Sequence, residues 1–320
     1  MKLKLRTQST ETLKTCFSQI SNLRKFVILQ FSPEQLLAIL INGTSITQEP
    51  QVWCKFRMLA IFSEIEIQSL RDNVISLEIN IELFLQTLRN FDKANSHDLS
   101  IRLQKKDSGS TTSGGTGSRT ASLALYYSDI SINANTINHT FRIPVKILKG
   151  SSDLPREPEL PRVDLMMRLT NDFSATYRRL EKFKRAIAGD LLTIRASRRN
   201  GGFLGFILQE EGKFRVTISW NDKLNVQKPR GEFDNDSLRA SLLQRDENDV
   251  DENDVEEDKE ITLKLKDWQL AAKIVSTCKT IIFLICHKEA CAIHCLLDDT
   301  DDVEVIYYMS GVRIRDFLED

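Results

Sequence analysis

The chain has 320 residues, of which 41% are hydrophobic and 28% are charged, and its formal net charge at pH 7 is −1. That composition is typical of a soluble globular protein, and the length suits two domains better than one. No apolar run reaches the roughly 18 residues of a membrane-spanning helix, and the opening MKLKLRTQ alternates in charge, so we expect neither a membrane span nor a secretory signal.

Four strand–helix–strand units follow one another along the chain, beginning near Lys2, Asn73, Arg162 and Glu260. Between the helical units lie further runs with strand character, at 26–31, 36–41, 52–58, 64–70, 122–130 and 140–148. Turn residues separate these runs, which favours largely antiparallel sheets with the helices on one face. Two units in each half predict an α+β protein made of two similar domains.

A linker is predicted at residues 149–162 (KGSSDLPREPELPR), which hold three prolines and little apolar matter. It separates the second unit from the third, so the predicted domains are 1–148 and 163–320. A Gly/Ser-rich insertion at 108–118 interrupts the first domain. A longer polar insertion, at about 230–259, interrupts the second.

Charge is distributed unevenly between that second insertion and the rest of the chain. Residues 246–260 hold ten acidic side chains and one lysine, so we expect the insertion to be disordered by its own repulsion. The remaining residues hold 43 basic and 35 acidic side chains. The folded body of the protein is therefore basic.

Each of the four predicted helices has a polar face that carries lysine or arginine. The basic residues predicted to line these faces are Lys14, Arg24, Lys25, Arg89, Lys93, Arg178, Arg179, Lys182, Lys184, Arg185, Lys266, Lys273 and Lys279. Gln269 is expected beside them on the fourth helix. One alternative is that such faces only keep the helices soluble. Their recurrence instead predicts contact with the phosphates of a long anionic polymer, independent of sequence and weakened by salt.

A second kind of site must be weighed at 286–295, where Cys286, His287, Cys291, His294 and Cys295 lie close in sequence. A zinc site, and with it a metal-dependent enzyme, is the less favoured interpretation because the spacing lacks paired ligands in turns. The apolar runs IIFLIC and CAIHCLL instead predict a hairpin across Lys288 and Glu289, with buried strand cysteines. All six cysteines of the chain are expected to be free thiols in a reducing compartment.

In colinear order, several segments resemble the DNA sliding clamps of the PCNA class, and within them the Hus/Mec-type subunits of the nine-one-one DNA-damage checkpoint clamp. The segments are MKLKL, LRKFVILQFSPEQL, QVWCKF, FRIPVKIL, LPRVDLMMRL, KDWQLAAKI and HKEACAIHCLLDDTDDVEVIYYMSGVR. The resemblance implies a clamp fold in which two similar domains place antiparallel sheets outside and two helices each on the inner face. The basic residues named above for the helical faces would then face DNA.

The resemblance also implies a function without catalysis, cofactor or metal. The chain would join a Rad-nine-like (Ddc-type) and a Rad-one-like subunit in a nuclear heterotrimeric ring around double-stranded DNA. A replication-factor-C-like loader would open the ring, which would recruit the checkpoint kinase complex and repair factors. A homotrimeric replicative clamp is the alternative within the same fold.

Ring closure requires sheet edges that pair with neighbouring subunits. The predicted edges are the terminal strand of each domain, at 122–130 and 303–309. Their interface residues are Ser122, Leu123, Ala124, Leu125, Tyr126, Tyr127, Val303, Val305, Ile306, Tyr307 and Tyr308. The alternative is that both are ordinary interior strands.

Overall fold

Two compact units make up the described part of the chain. The computed structural model describes residues 1–41, 49–94, 96, 98–105, 121–130, 136–148, 154–169, 176, 179–180, 182–183, 190–199, 202–210, 212–221, 224, 226–227, 258–275, 278–297 and 302–312, with backbone alone at 105, 130, 221, 227 and 273. Unit 1 comprises 1–41, 53–156 and 301–304, and unit 2 comprises 42–52, 157–300 and 305–320. The main break falls within the predicted linker, and the domain limits given above stay a prediction.

Unit 1 is built on antiparallel strands with two amphipathic helices. Its strands are β1 (Lys2–Thr7), β2 (Phe26–Phe31), β3 (Gln35–Leu40), β4 (Gln51–Arg57), β5 (Phe62–Gln68), β6 (Ile75–Asn80), β7 (Ser100–Lys105), β8 (Ala121–Ile130) and β9 (Thr136–Ile147). Its helices are α1 (Glu11–Ser21), the single turn α2 (Met58–Ile61) and α3 (Ile81–Lys93). The strands lie side by side in the order β4, β3, β2, β6, β9, β8, β7, β1, β5.

Alternation along the strands separates a core face from a solvent face. In β1, Leu3, Leu5 and Thr7 are buried whereas Lys2 and Arg6 are exposed, as period-two geometry requires. The helices α1 and α3 cover the core face. Phe17 of α1, fully buried, packs edge-on against Phe56 of β4 and Phe84 of α3, with ring centroids 5.6 and 5.4 Å away.

Unit 2 holds the remaining strands and one described helix. They are β10 (Leu165–Leu169), β11 (Leu191–Ser197), β12 (Phe203–Glu210), β13 (Phe214–Asn221), β14 (Val226–Gln227), β15 (Lys259–Lys264), α4 (Leu265–Val275), β16 (Thr280–Cys286), β17 (Ala290–Leu296) and β18 (Val303–Ser310). One set of strands runs β14, β10, β16, β17, β18, and a four-stranded sheet runs β13, β12, β11, β15. Trp268 of α4 packs against Phe206 of β12 and Phe283 of β16, with centroids 5.2 and 5.6 Å away.

The hairpin predicted across Lys288 and Glu289 is confirmed. β16 and β17 pair antiparallel from Thr280–Leu296 to Cys286–Ala290, and Lys288 in the turn has a left-handed φ of 61°. All six cysteines are buried free thiols. Within the described residues, no helix is long and apolar enough to cross a membrane.

Both predicted edge strands are wrong. In β8, residues Ala121–Tyr126 pair with β7 on one side and with β9 on the other, so Ser122, Leu123, Ala124, Leu125 and Tyr126 lie inside the sheet. Tyr127 is buried against the rings of Phe91 and Phe141. The alternating pattern that predicts a strand does not report which strands lie beside it.

β18 also has a strand on each side. Its first residues, Val303 and Glu304, belong to unit 1, where β18 lies beside β4, and its later residues belong to unit 2, beside β17. Val303, Val305, Ile306, Tyr307 and Tyr308 are all buried. The hydroxyls of Tyr307 and Tyr308 donate to the Asp267 carbonyl oxygen at 3.2 Å and to the Glu157 carboxylate at 2.8 Å.

Candidate nucleic-acid interface

The helices α1 and α3 lie antiparallel in unit 1. The N–H of Ile81, the first residue of α3, donates to the carbonyl oxygen of Lys25, just past the end of α1, at 2.9 Å. At the other end, the Thr10 hydroxyl lies 3.4 Å from the carboxylate of Asp92. The side chain of Asn80 caps α3 by accepting the Glu82 N–H at 3.1 Å. The two helices therefore form one rigid pair that fixes where their outer side chains point.

Three predicted cations of unit 1 are exposed on this helix pair. Arg89 and Lys93 lie four positions apart on the outer face of α3, where Gln86 precedes them, and Lys25 follows the end of α1. Arg24 is half-buried. The outer face of α1 itself carries Thr15 and Ser18 rather than cations. The positive charge of the pair thus comes from α3 and from the segment that follows α1.

Lys14 is held in ion pairs and is not available to a polyanion. This corrects the prediction that it lines the DNA-facing surface. Its ammonium lies 2.6 Å from the Asp92 carboxylate and 2.5 Å from that of Glu11, and its side chain is only 26% exposed. The hydrogen bond to Asp92, followed by that to Glu11, raises the pKa of Lys14. Lys14 therefore ties α1 to α3. Sequence spacing on α1 could not reveal a partner 78 positions away.

Unit 2 presents further exposed cations, though the third predicted helix is described in part only. Arg179, Lys182, Lys266 and Lys279 are exposed. Arg178, Lys184, Arg185 and the side chain of Lys273 lie outside the described residues. Thr176 and Leu180 of the third segment are buried.

Helix α4 carries two departures from the expected polar face. Gln269 is buried, with 8% of its surface exposed, so the prediction that it lies beside Lys273 in solvent is wrong. Asp267, in the first turn, is half-buried, and burial raises the pKa of its carboxyl despite the opposing charges of Lys264 and Lys266.

Among the strand edges that the described chain leaves open, two that the sequence analysis missed are long enough to accept a strand from a neighbour. β9 pairs with β8 along residues 136–145, whereas β6 pairs only with Val145–Ile147 of β9. Within the described chain, residues 136–144 have no strand on the side opposite β8. The first six of these, TINHTF, include no acidic residue, lysine or arginine, although charge is a usual device for blunting an edge. The absence of charge in this segment is therefore a sequence feature that indicates an edge open to pairing.

The second open edge is β13, the last strand of the four-stranded sheet. Its eight residues, Phe214–Asn221, pair with β12 along their whole length. No other described strand pairs with β13. Together, β9 and β13 give the chain two distinct edges able to accept a strand.

Burial determines the protonation of two thiols in the cysteine and histidine cluster. Burial raises the pKa of the Cys286 thiol to about 12 and that of Cys291 well above its usual value, so neither is a thiolate at neutral pH. The backbone N–H of Glu260 donates to Nδ1 of His287 at 3.0 Å. Among the described residues, no three histidine, cysteine or acidic side chains are placed to hold a metal ion.

The sequence model of a family described as Hus1-like protein matches residues 1–313. The chain belongs to the Hus1-like family. Relatives include the DNA damage checkpoint control protein MEC3 of Eremothecium gossypii, 22% identical, and the checkpoint protein hus1 of Schizosaccharomyces pombe, 24% identical. Each alignment covers 97% of this chain and 99% of the relative.

Solved structures establish the fold of this Hus1-like chain. Proliferating cellular nuclear antigen from Entamoeba histolytica is similar with a TM-score of 0.62 and 12% identity, covering 97% of this chain and 99% of that one. PCNA from Thermococcus kodakaraensis gives a TM-score of 0.60 at 11% identity, covering 97% and 100%. The predicted α+β clamp fold is confirmed.

Proposed function

We propose that this Hus1-like chain is a non-enzymatic subunit of a heterotrimeric, ring-shaped DNA-damage checkpoint clamp that encircles DNA in the nucleus. The observation that carries the proposal is the family match along residues 1–313 together with a clamp fold. The relative from Eremothecium gossypii is a DNA damage checkpoint control protein, and the relative from Schizosaccharomyces pombe is a checkpoint protein.

DNA contact is assigned to the exposed cations of the helical segments. Arg89 and Lys93 on α3, with Lys25, form the described core of this surface, and Arg179, Lys182, Lys266 and Lys279 extend it. Arg178, Lys184, Arg185, Lys273 and the half-buried Arg24 remain part of the proposal from their sequence positions. Such contacts are loose and interchangeable, because phosphates carry no sequence information, and they therefore permit sliding.

Ring closure is assigned to the open edges of β9 and β13. A neighbouring strand added to residues 136–144 of β9 would satisfy backbone groups that have no described strand partner. A second neighbour would pair with Phe214–Asn221 of β13 in the same way. Two different edges suit a ring in which each chain meets two different subunits through head-to-tail contacts.

Loading and recruitment complete the proposal. A replication-factor-C-like loader opens the ring onto damaged DNA, and the loaded ring recruits the checkpoint kinase complex and repair factors. Holding DNA by closure asks for no catalytic group.

Co-expression followed by native mass measurement tests the assembly. The chain alone should stay at its 36.7 kDa monomer mass, and co-expression with a Rad-nine-like and a Rad-one-like subunit should give one complex with a single copy of each. A stable trimer of this chain alone would instead favour the homotrimeric replicative clamp. No complex under either condition would contradict both ring proposals.

A further inference from the structure

A polar network lies on the sheet face of unit 1 that points away from α1 and α3. Tyr127 of β8 meets Phe91 of α3 at 5.4 Å, so its neighbour Tyr126 points to the opposite face. On that face, Arg102 of β7 and Arg142 of β9 are the two cross-strand partners of Ala124 in β8. With strands about 4.8 Å apart, the two arginines start from backbone positions roughly 10 Å apart.

Three contacts fix the geometry of the network. The guanidinium of Arg102 lies 5.3 Å from the ring centroid of Tyr126. The side-chain amide of Gln104 donates to the Tyr126 hydroxyl. Nε of Arg142 donates to the amide oxygen of Gln104 at 3.3 Å. Gln104 therefore positions both the tyrosine and one of the arginines, and the buried Ala124 leaves room beneath them.

The network leaves a set of donors facing solvent. The Tyr126 hydroxyl accepts from Gln104 and so keeps its own proton to donate. Within the described residues, Arg142 uses only Nε in the network, and its terminal nitrogens have no hydrogen-bond partner there. Neither Arg102 nor Arg142 makes an ion pair with a described carboxylate, and both are exposed. Two uncompensated guanidinium groups and a hydroxyl donor thus lie together on one face.

The cations of β1 on the same face already have carboxylate partners. Lys2 pairs with Glu66 at 2.5 Å, Arg6 with Glu64 at 3.0 Å, and Lys4 with Glu64 at 3.6 Å. Lys4 and Arg6 share the Glu64 carboxylate, and Lys146 of β9 is also exposed on this face, so the compact spot is defined by the two arginines that contacts with Tyr126 and Gln104 hold together. A duplex presents one phosphate charge about every 1.7 Å and is bound by extended rows of cations, so this spot fits a single anionic group better than a nucleic acid.

We propose that Arg102, Tyr126 and Arg142 form a binding site for a phosphorylated serine or threonine side chain of a partner protein. A phosphoryl group carries three acceptor oxygens and close to two negative charges, and guanidinium groups bind it with paired hydrogen bonds. The site faces away from α1 and α3, so it stays open while those helices contact DNA. Its role in recruitment rests on the proposed function, whereas the binding itself does not.

The test uses the purified full-length chain and two immobilised nine-residue peptide libraries, degenerate except for a central phosphoserine or serine. Retention should be at least tenfold higher on the phosphoserine beads. Arg102→Ala and Arg142→Ala should each lower it about tenfold, since hydrogen bonds to charged groups are the strong ones. Tyr126→Phe keeps the ring and removes the donor, so it should cause a smaller loss.

Lys4→Ala is the matched control, because Lys4 lies in the same cross-strand row as Arg102 but is ion-paired. It should leave phosphoserine retention unchanged. Equal retention on the two libraries, or an equal loss in Lys4→Ala, overturns the proposal. Binding of a 5′-fluorescein-labelled duplex is measured for the same variants. If Arg142→Ala weakens duplex binding as much as it weakens phosphoserine retention, the spot is a nucleic-acid contact and the proposal is overturned. Because the chain is tested alone, failure of ring assembly does not affect the outcome.

Discussion

Individual cations differ in what surrounds them, and that decides which can meet DNA. Lys14 is held by Asp92 and Glu11, whereas Arg89 and Lys93 extend into solvent from the outer face of α3. A lysine that already holds two carboxylates would have to lose both to bind phosphate. The helical spacing identified Arg89 and Lys93 from sequence, because exposure on an amphipathic helix follows from the positions of its apolar residues.

Neutralising the pair on α3 should weaken DNA binding by the assembled ring. We expect Arg89→Gln/Lys93→Gln to lower the affinity of the ring for a linear duplex. The slope of log K against log salt concentration should become shallower by about 2, because about one unit is lost with each phosphate contact. Fluorescence anisotropy at several salt concentrations measures both. The control Lys2→Gln/Lys4→Gln removes the same charge from the opposite sheet face. An unchanged slope in the α3 variant would remove those residues from the interface.

Asp267 in the first turn of α4 predicts a pH effect on stability. Burial raises the pKa of the Asp267 carboxyl in the folded state. Its contribution to the free energy of unfolding is therefore fully present below the pKa of the unfolded chain, about 4, and is lost as the pH rises through the pKa of the folded state. Asp267→Asn should therefore raise the urea midpoint at pH 7 and lose this advantage near pH 4. The exposed control Glu34→Gln should show no such crossover. A midpoint lowered by Asp267→Asn at pH 7 would contradict the assignment.

The positions of strands and helices along the sequence were easier to predict than which strands pair with each other. The run Phe26–Phe31 matches β2 residue for residue, since Val27, Leu29 and Phe31 alternate with less buried positions. The same alternation in β8 gave no information on pairing, which depends on β7 and β9. β9 itself begins at Thr136, four residues before its predicted start, because its polar opening lacks an apolar pattern.

Charge placed on the open edge of β9 should block ring assembly and leave the monomer folded. Ile137 is 47% exposed, so Ile137→Asp should change the free energy of unfolding by less than about 0.5 kcal/mol, while an edge charge opposes strand addition. Native mass measurement of the co-expressed subunits reports assembly. Leu70→Asp, at a fully exposed turn residue, is the matched control. Normal assembly of Ile137→Asp would place the interface elsewhere.

For the whole molecule, the family and the fold were predicted from the order and spacing of core segments over nearly the full chain. No single one of these motifs could have established either. The clamp fold tolerates 12% identity to a solved relative because it depends on buried apolar positions more than on particular side chains. Lys14 and Gln269 escaped prediction for a common reason. Each is decided by residues distant in sequence.

The central claim is that the chain helps to hold DNA by enclosing it. The most direct measurement is retention of the proposed heterotrimer on closed circular DNA at high salt before and after a single restriction cut, once the proposed replication-factor-C-like loader has placed it there. Enclosure predicts that the ring stays on the circle, where phosphate contacts alone are screened, and is lost once the DNA has ends. Equal retention before and after the cut, or loss from the intact circle, would contradict the account.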